Sequence, residues 1–447
     1  MSLAEKSAKT FFLRLVTLAL QVPTSVMLAR FLGVEGKGNY TLLTVIPWLV
    51  AFVLLFGLDT AQTYLLSGRQ TTLRALGAVN AVVVPLLSLF AGAIYLFIIA
   101  PRVMASVPRE MIWLSLALIP VVLSRYLAMA ALLGLEQVIR FNLLYIYTSF
   151  SILVLTALLV GWLGYGLDGA FIAFLTSQAL VFFLCLFWLK RSSAQESQSF
   201  TGVGLQGWEL FKKSIFYGLK GHAAGVLVTF NQRFDIFILG ALSSPREVGL
   251  YAVAVAVAEV VWHVPMSVHL NLFPRVAAAG ADEGAKRLPR AVRMTLLLSA
   301  VIALGLFFLG KPAIGILFGS SFLPSSGSML ALLPGVVAVS VASVFESYFA
   351  GIDRRHYQSY SVACAFVLGL ALDLLLIPGY GALGAAIAST ASYTLQMAVS
   401  IILFRKIREI AWGEFFLPTA KDAKDLLATL SSFLKSLKEE RFRSDDK

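Results

Sequence analysis

Long apolar runs separated by short polar stretches dominate this chain. Each run has about 20 residues, the length that crosses the roughly 30 Å hydrocarbon core of a bilayer, so the pattern predicts an all-α polytopic membrane protein. A transmembrane β-barrel would instead show alternating segments of about 10 residues. We predict twelve transmembrane helices at 10–32, 40–66, 76–100, 111–133, 142–163, 168–189, 216–241, 249–273, 292–310, 328–350, 358–377 and 382–404.

Two shorter stretches between these spans have their own patterns. Gly33, Gly36 and Gly38 predict a turn between the first two helices. Residues 311–326 are apolar but short and broken, which predicts a re-entrant or interfacial segment rather than a span.

Short motifs recur in the same order in the two halves of the chain, at an offset of about 211–217 residues. The three pairs of motifs are Gly38-Asn39-Tyr40 with Gly249-Leu250-Tyr251, Gly134-Leu135-Glu136 with Gly351-Ile352-Asp353, and 164–170 (GYGLDGA) with 379–385 (GYGALGA). Three motifs in register indicate a duplicated chain of two pseudo-symmetric six-helix lobes. We therefore expect an N-lobe at 1–212, a C-lobe at 213–404 and a tail at 405–447. A polar cytoplasmic linker at 190–213 ends the N-lobe.

The composition fits a surface that faces lipid. Hydrophobic residues make up 59% of the chain and charged residues 13%, against about 25% charged in soluble domains. The net charge is +12, and 27 of the 36 Lys and Arg residues lie on one side of the predicted spans. By the positive-inside rule, both termini and the linker are predicted to be cytoplasmic, in a multi-pass protein of the inner (plasma) membrane. The charge therefore indicates topology, and we expect no nucleic-acid partner.

The sequence lacks the motifs of several enzyme and metalloprotein classes. Cys185 and Cys364 both lie in apolar runs, which argues against a disulfide. Four histidines without an HExxH or CxxC motif predict no metal site, and the chain has no Walker A or GxSxG motif. A membrane-embedded transferase usually needs acidic motifs in a sizeable loop, and the linker holds only Glu196 and Glu209. We predict no enzymatic activity and no cofactor.

The tail from Lys421 has leucine and phenylalanine at helical spacing with lysines between them. This pattern predicts a basic amphipathic helix on the anionic cytoplasmic leaflet, or alternatively a docking site for a partner enzyme.

Ionisable residues inside predicted spans are the candidates for function. Inserting a charged side chain at the centre of a transmembrane helix costs about 3 kcal/mol of free energy, so each such residue should face a cavity or a partner. Arg125 has no acidic residue three or four positions away, which favours either anion binding or a structural pair with Asp59. Arg233 is expected to line a cavity, and Asp235 is either an ion-coupling group or a structural partner. Glu259 and His263 share a helix face and form either a proton or cation relay or a hydrogen-bonded pair between helices.

Five stretches carry a resemblance to a known family. They are ARFLGVEGKGNYTLL, FGLDTAQTYLLSG, NQRFDIFILGALSSPREVGLYAVAVAVAE, LFPRVAAAG and GYGALGAAIAST. The chain resembles the polysaccharide-transporter, or Wzx-type, branch of the multidrug/oligosaccharidyl-lipid/polysaccharide exporter superfamily over about residues 10–404. The resemblance implies two lobes around a central cavity. It also implies flipping of polyprenyl-pyrophosphate-linked oligosaccharide from the inner to the outer leaflet, for surface polysaccharides such as lipopolysaccharide O-antigen or exopolysaccharide.

On that resemblance, the polar residues in spans receive expected roles. Arg125 and Arg233 would bind pyrophosphate, because guanidinium matches phosphate oxygens in a fork. Four amides would bind sugar hydroxyls: Gln21, Gln62, Asn231 and Gln232. Ion coupling is assigned to Asp59, Asp235, Glu259 and His263. The expected partners are the lipid-linked oligosaccharide, membrane lipid, and a polysaccharide polymerase or glycosyltransferases.

Two relatives in the same superfamily remain as alternatives. MurJ-like lipid II flippases are similar but usually have more spans. Multidrug exporters share the fold, and an ion-coupled multidrug or cation antiporter is the alternative function. Their cation sites are usually acidic, whereas two arginines are as prominent here, which favours an anionic substrate.

Overall fold

The computed structural model describes residues 3–199, 205–262, 281–409 and 413–416, and the regular structure in these ranges is helical. The prediction of an all-α protein is confirmed. The α-helices are α1 Leu3–Leu54, α2 Leu58–Ser67, α3 Leu73–Ile94, α4 Ala100–Val103, α5 Arg109–Ser115, α6 Leu118–Gly134, α7 Val138–Thr156, α8 Gly166–Ser199, α9 Gly207–Leu242, α10 Pro245–Ala258, α11 Ala281–Leu317, α12 Ser325–Gly351, α13 Arg355–Arg405 and α14 Gly413–Phe416. Two π-helical turns, Tyr95–Ile99 and Ala157–Trp162, extend α3 and α7.

Nine helices of the described chain are long and apolar enough to cross a membrane. Helix α13 contains two predicted spans, and α1 contains the first predicted span and the larger part of the second, because each helix changes direction at one glycine. Gly33 (φ 69°) interrupts α1, and Gly381 (φ 53°) interrupts α13. A positive φ costs a residue with a Cβ about 1–2 kcal/mol, which is why glycine occupies both positions.

Two predictions for the first helices need correction. The predicted turn at Gly33, Gly36 and Gly38 reduces to Gly33 alone, and the other two glycines are helical. The predicted second span, 40–66, is broken between α1 and α2, where Phe56 and Gly57 both have positive φ.

Two predicted connections are more helical than their composition indicated. The predicted re-entrant segment 311–326 is wrong in its first half, because α11 continues to Leu317 before a 3-10 turn at Ser320–Phe322. The polar linker 190–213 is shortened from both ends, since α8 runs to Ser199 and α9 starts at Gly207. The amphipathic helix predicted from Lys421 lies outside the described residues.

The chain forms two compact units. Unit 1 comprises 1–255, 311–329 and 369–388, and unit 2 comprises 256–310, 330–368 and 389–447. The lobes expected from the repeat have other boundaries, and they stay a prediction.

Each unit has its own apolar core. In unit 1, one cluster joins α6, α7 and α8 through Leu132, Leu144 and Cys185, all fully buried. In unit 2, Phe345, Phe404 and Phe415 pack ring against ring. Large apolar side chains also lie on the surface of unit 1, among them Phe97 (77% exposed) and Trp162 (81% exposed). Such residues fit a surface that faces lipid tails.

Charged side chains cap two helix ends in unit 1. The Arg30 guanidinium donates from Nε to the Leu317 carbonyl (2.7 Å) and from Nη2 to the Ile316 carbonyl, at the C-terminus of α11. The Glu247 carboxylate accepts from the Ala382 amide (2.9 Å), at the start of the second half of α13. Both signs agree with the helix dipole, which favours cations at C-termini and anions at N-termini.

Candidate functional site

The environment of Arg125, on α6 in unit 1, is built from neutral groups. Its guanidinium lies 5.8 Å from the centre of the Tyr126 ring, and Tyr145 and Cys185 are also within electrostatic range. The Nε atom is fully enclosed and has no hydrogen-bond partner among the described residues. A buried guanidinium nitrogen without an acceptor is costly, which makes this side chain a candidate to bind an anion.

The alternative pairing of Arg125 with Asp59 is wrong in this structure. The two side chains form no salt bridge with each other among the described residues. Both charges nevertheless lie near Tyr126, which is in electrostatic range of each. A tyrosine therefore lies close to the arginine and the aspartate that the sequence suggested as a pair.

Aromatic side chains continue the surface next to Arg125. The indole Nε1 of Trp48 donates to the Tyr126 hydroxyl (3.0 Å), and the Trp48 ring stacks on Phe52 with centroids 5.8 Å apart. His222 on α9 lies against Phe52 (5.7 Å), and its Nε2 is 2.8 Å from the Val53 carbonyl oxygen. Trp48, Phe52 and Tyr126 are half-buried, so part of each ring remains accessible.

The polar side chains at 231–235 of α9 differ in how deeply they are buried. Asn231, Gln232 and Arg233 are half-buried, and Asp235 is 6% exposed. Helices α6 and α9 both pack near α1, since Tyr126 and His222 each contact Phe52. A pyrophosphate shared between Arg125 and Arg233 stays a prediction.

The two predicted sugar-binding glutamines of the N-terminal half differ in their surroundings. Gln21 is exposed on α1 and donates to the Ser149 hydroxyl at 3.5 Å. Gln62 is 2% exposed and exchanges two hydrogen bonds with Asn80, at 2.6 and 3.4 Å. Since its amide is already paired, Gln62 fits a structural role better than sugar binding.

A buried acidic cluster surrounds Asp235 in unit 1. Its carboxylate accepts from the Tyr251 hydroxyl and from the Ile236 amide (2.7 Å). Asp373 of α13, also 6% exposed, lies in electrostatic range of Asp235, and its Oδ1 has no hydrogen-bond partner among the described residues. Two buried carboxyl groups within electrostatic range of each other favour a bound proton or cation. Asp373 is an ionisable residue within the predicted span 358–377, and Tyr251 belongs to the repeat motif at 249–251, but neither of them was assigned to an ion site from the sequence.

The remaining acidic candidates belong to unit 2. Glu259 is half-buried and begins the 3-10 turn Glu259–Trp262, and its relay or pairing with His263 stays a prediction. His263 itself lies outside the described residues. Glu346 is satisfied on both oxygens, by Gln396 Nε2 (2.7 Å) and Gln358 Nε2 (3.0 Å). Within the described ranges, no three His, Cys, Asp or Glu side chains are grouped as metal ligands.

Comparisons with known proteins agree on one superfamily. The profile of the family described as "Polysaccharide biosynthesis protein" matches residues 27–327, more than half of the chain, and that of "Lipid II flippase MurJ" matches 244–435. The "Probable low-salt glycan biosynthesis flippase Agl15" of Haloferax volcanii is 22% identical over 37% of this chain. That match spans only 36% of the relative's length.

Solved structures show the same fold. The inward closed conformation of the lipid II flippase MurJ superposes with a TM-score of 0.72 at 16% identity, covering 92% of this chain and 89% of that chain. An inward-facing multidrug resistance MATE family transporter gives a TM-score of 0.66 at 15% identity, covering 88% and 97%. The predicted transporter fold is thereby confirmed, and the family profiles and the flippase relative confirm the predicted superfamily. On the match over residues 27–327, the chain belongs to the polysaccharide biosynthesis protein family.

Proposed function

We propose that this protein flips polyprenyl-pyrophosphate-linked oligosaccharide from the inner to the outer leaflet by alternating access, for the synthesis of a cell-surface polysaccharide. The family supports a role in glycan synthesis, and relatives that are named flippases support transport rather than catalysis. The polymerase or glycosyltransferases that would use or supply the substrate are its proposed partners.

The observation that carries the proposal is the enclosed Nε of Arg125, which has no hydrogen-bond acceptor among the described residues. A guanidinium among neutral side chains, with an enclosed Nε that lacks an acceptor, suits a ligand that brings phosphate oxygens. The half-buried rings of Trp48, Phe52 and Tyr126 next to it offer flat apolar surface to the faces of sugar rings. One site would then receive both parts of the headgroup.

The direction of transport follows from the sign of the substrate. An interior-negative membrane potential favours outward movement of an anion by about 2.3 kcal/mol per charge per 100 mV. The proposal places the protein in the inner (plasma) membrane with both termini cytoplasmic, because 27 of the 36 basic residues lie on one side of the spans predicted from the sequence.

Ion coupling is proposed for Asp235 together with Asp373. Both are buried in unit 1 on different helices, and Asp373 Oδ1 lacks a partner among the described residues. A proton or Na⁺ taken up by the two carboxyl groups would remove their repulsion and so change the packing of α9 against α13. Asp59 has no comparable acidic neighbour among the described interactions and is the weaker candidate.

The same acidic cluster favours one second function, an ion-coupled multidrug or cation antiporter. Purified protein in proteoliposomes separates the two functions when it is offered either a lipid-linked oligosaccharide or a cationic dye. The proposal predicts movement of the lipid-linked sugar between leaflets and no dye transport driven by an ion gradient. Dye antiport without movement of the lipid-linked sugar would refute it.

A further inference from the structure

We propose that a cavity inside unit 1 is a binding site for one anionic phospholipid of the leaflet in which α3 begins. The cavity has a volume of 730 Å³ and lies between α3, α6 and α8. This size falls within the roughly 300–1,000 Å³ of small-molecule sites. None of the residues assigned to pyrophosphate or ion coupling lines it.

The walls of the cavity suit an acyl chain. Leu76, Phe182 and Leu189 are among its apolar lining residues. At Gly77, which also lines the cavity, an added Cβ would meet no atom within 4 Å, so the wall there is open. The polar Gln62 and Asn80 are paired with each other by two hydrogen bonds, so they present little unmet polarity to a hydrocarbon chain.

The mouth of the cavity suits an anionic headgroup. Arg74 and Lys190 both line the cavity and are exposed. Arg74 stands at the start of α3, and Lys190 directly follows the apolar run of α8, so both mark the boundary of the apolar zone. Neither forms an ion pair with a carboxylate in the described chain. Two cations at one end of an apolar cavity complement the charge of a lipid phosphate.

The length of the cavity matches the depth of one leaflet and therefore suits one phospholipid. Along α3 its lining extends from Leu73 to Pro85, which is about 18 Å at about 1.5 Å per residue. One leaflet contributes about 15 Å of the hydrocarbon core. A phospholipid chain fits this depth, whereas a polyprenyl carrier is far longer than the cavity.

The test uses the purified full-length protein, freed of lipid, and native mass spectrometry with dioleoylphosphatidylglycerol and dioleoylphosphatidylcholine. The wild type should prefer the anionic lipid. The double variant Arg74→Gln, Lys190→Gln should bind it about tenfold more weakly, a loss of about 1.4 kcal/mol, and lose the preference. Gly77→Phe should reduce binding of both lipids, because the ring fills the cavity.

Arg191→Gln is the matched control, because Arg191 neighbours Lys190 but packs on the Phe187 ring (4.7 Å) and does not line the cavity. It should bind both lipids as the wild type does. A wild type without preference for the anionic lipid would overturn the proposal, as would variants that bind unchanged or a site that accepts polyprenyl pyrophosphate but no phospholipid. The readout is binding, so it is independent of the proposed flippase activity.

Discussion

Gly38 and Gly249 pack backbone against backbone in unit 1. A Cβ on Gly38 would overlap the Pro245 carbonyl and lie 3.0 Å from the Gly249 nitrogen. A Cβ on Gly249 would overlap the Val34 carbonyl and lie 3.1 Å from the Gly38 nitrogen. The two glycines occupy equivalent positions in the internal repeat, so the contact joins the same point of each half and is nearly reciprocal.

Alanine at either position should destabilise this contact. The added methyl meets backbone on both sides and cannot be relieved by rotating a side chain, so Gly249→Ala should cost about 1–3 kcal/mol. Thermal unfolding of the purified protein should show a melting temperature several degrees lower. The control is Gly305→Ala, because a Cβ at this helical glycine meets nothing within 4 Å. If the two variants unfold alike, the close approach is not part of the stable structure.

Gly166 and Gly381 are a second pair related by the repeat, and they should respond unequally to alanine. Both have positive φ, 52° and 53°, so each substitution costs about 1–2 kcal/mol of backbone strain. Gly166 has open space around its Cβ, whereas a Cβ on Gly381 would also collide with the Glu247 carboxylate. Gly381→Ala should therefore lower the melting temperature more than Gly166→Ala does.

Adding Glu247→Ala to Gly381→Ala separates the two causes. If the carboxylate is the obstacle, the double variant should be more stable than the sum of the single effects predicts. Glu247→Ala alone should cost about 1 kcal/mol, because the Ala382 amide loses its acceptor at a helix start. Strictly additive melting temperatures would show that the collision does not occur.

The acidic cluster should set the ion dependence of transport. Asp373→Asn removes one of two neighbouring buried carboxyl groups, so it should weaken or abolish the effect of pH or Na⁺ on the transport rate while the protein still folds. Transport rates across a pH series and a Na⁺ series measure this. Tyr251→Phe, which removes a donor to Asp235, should shift the same dependence without abolishing it. An Asp373→Asn protein with wild-type ion dependence would remove the cluster from the coupling mechanism.

Glu346 in unit 2 provides a structural contrast to that cluster. Its carboxylate is held by Gln396 and Gln358, so Gln396→Leu should lower the free energy of unfolding by about 1–3 kcal/mol, because a buried oxygen loses its donor. The ion dependence of transport should stay as in the wild type. A change in ion dependence at unaltered melting temperature would assign Glu346 to coupling instead.

The internal repeat shows how far the sequence alone could lead. The motifs of its second pair end in Glu136 and Asp353, and both have φ of 59°. Gly166 and Gly381 agree equally well, with φ of 52° and 53°, so short motifs at similar offsets predicted matching backbone geometry. The predicted turn at Gly33, Gly36 and Gly38 failed in detail because Gly36 and Gly38 are helical, and Gly38 serves close packing against Pro245 and Gly249. Composition alone does not distinguish a glycine that packs closely from one that forms a turn.

The site was harder to predict, because its contacts join residues distant in sequence. Arg125 was recognisable from the sequence as a candidate, because no acidic residue lies three or four positions away on its own helix. The acidic group Asp235–Tyr251–Asp373 was not, since a helix-face argument reaches only three or four positions and Asp373 arrives from another part of the chain. Gln62 illustrates the converse, because its polar side chain in a span is paired with Asn80.

The proposed flippase activity is measured by the rate at which purified protein moves polyprenyl-pyrophosphate oligosaccharide across proteoliposome membranes. Arg125→Gln should lower this rate about tenfold or more, since a charge-assisted contact to the pyrophosphate is lost. Arg140→Gln is the control, because Arg140 is exposed, stacks on Trp188 and donates to Gln137. We expect a slow Arg125→Gln protein beside an Arg140→Gln protein at the wild-type rate, both with wild-type melting temperatures. An Arg125→Gln protein at the wild-type rate would contradict it.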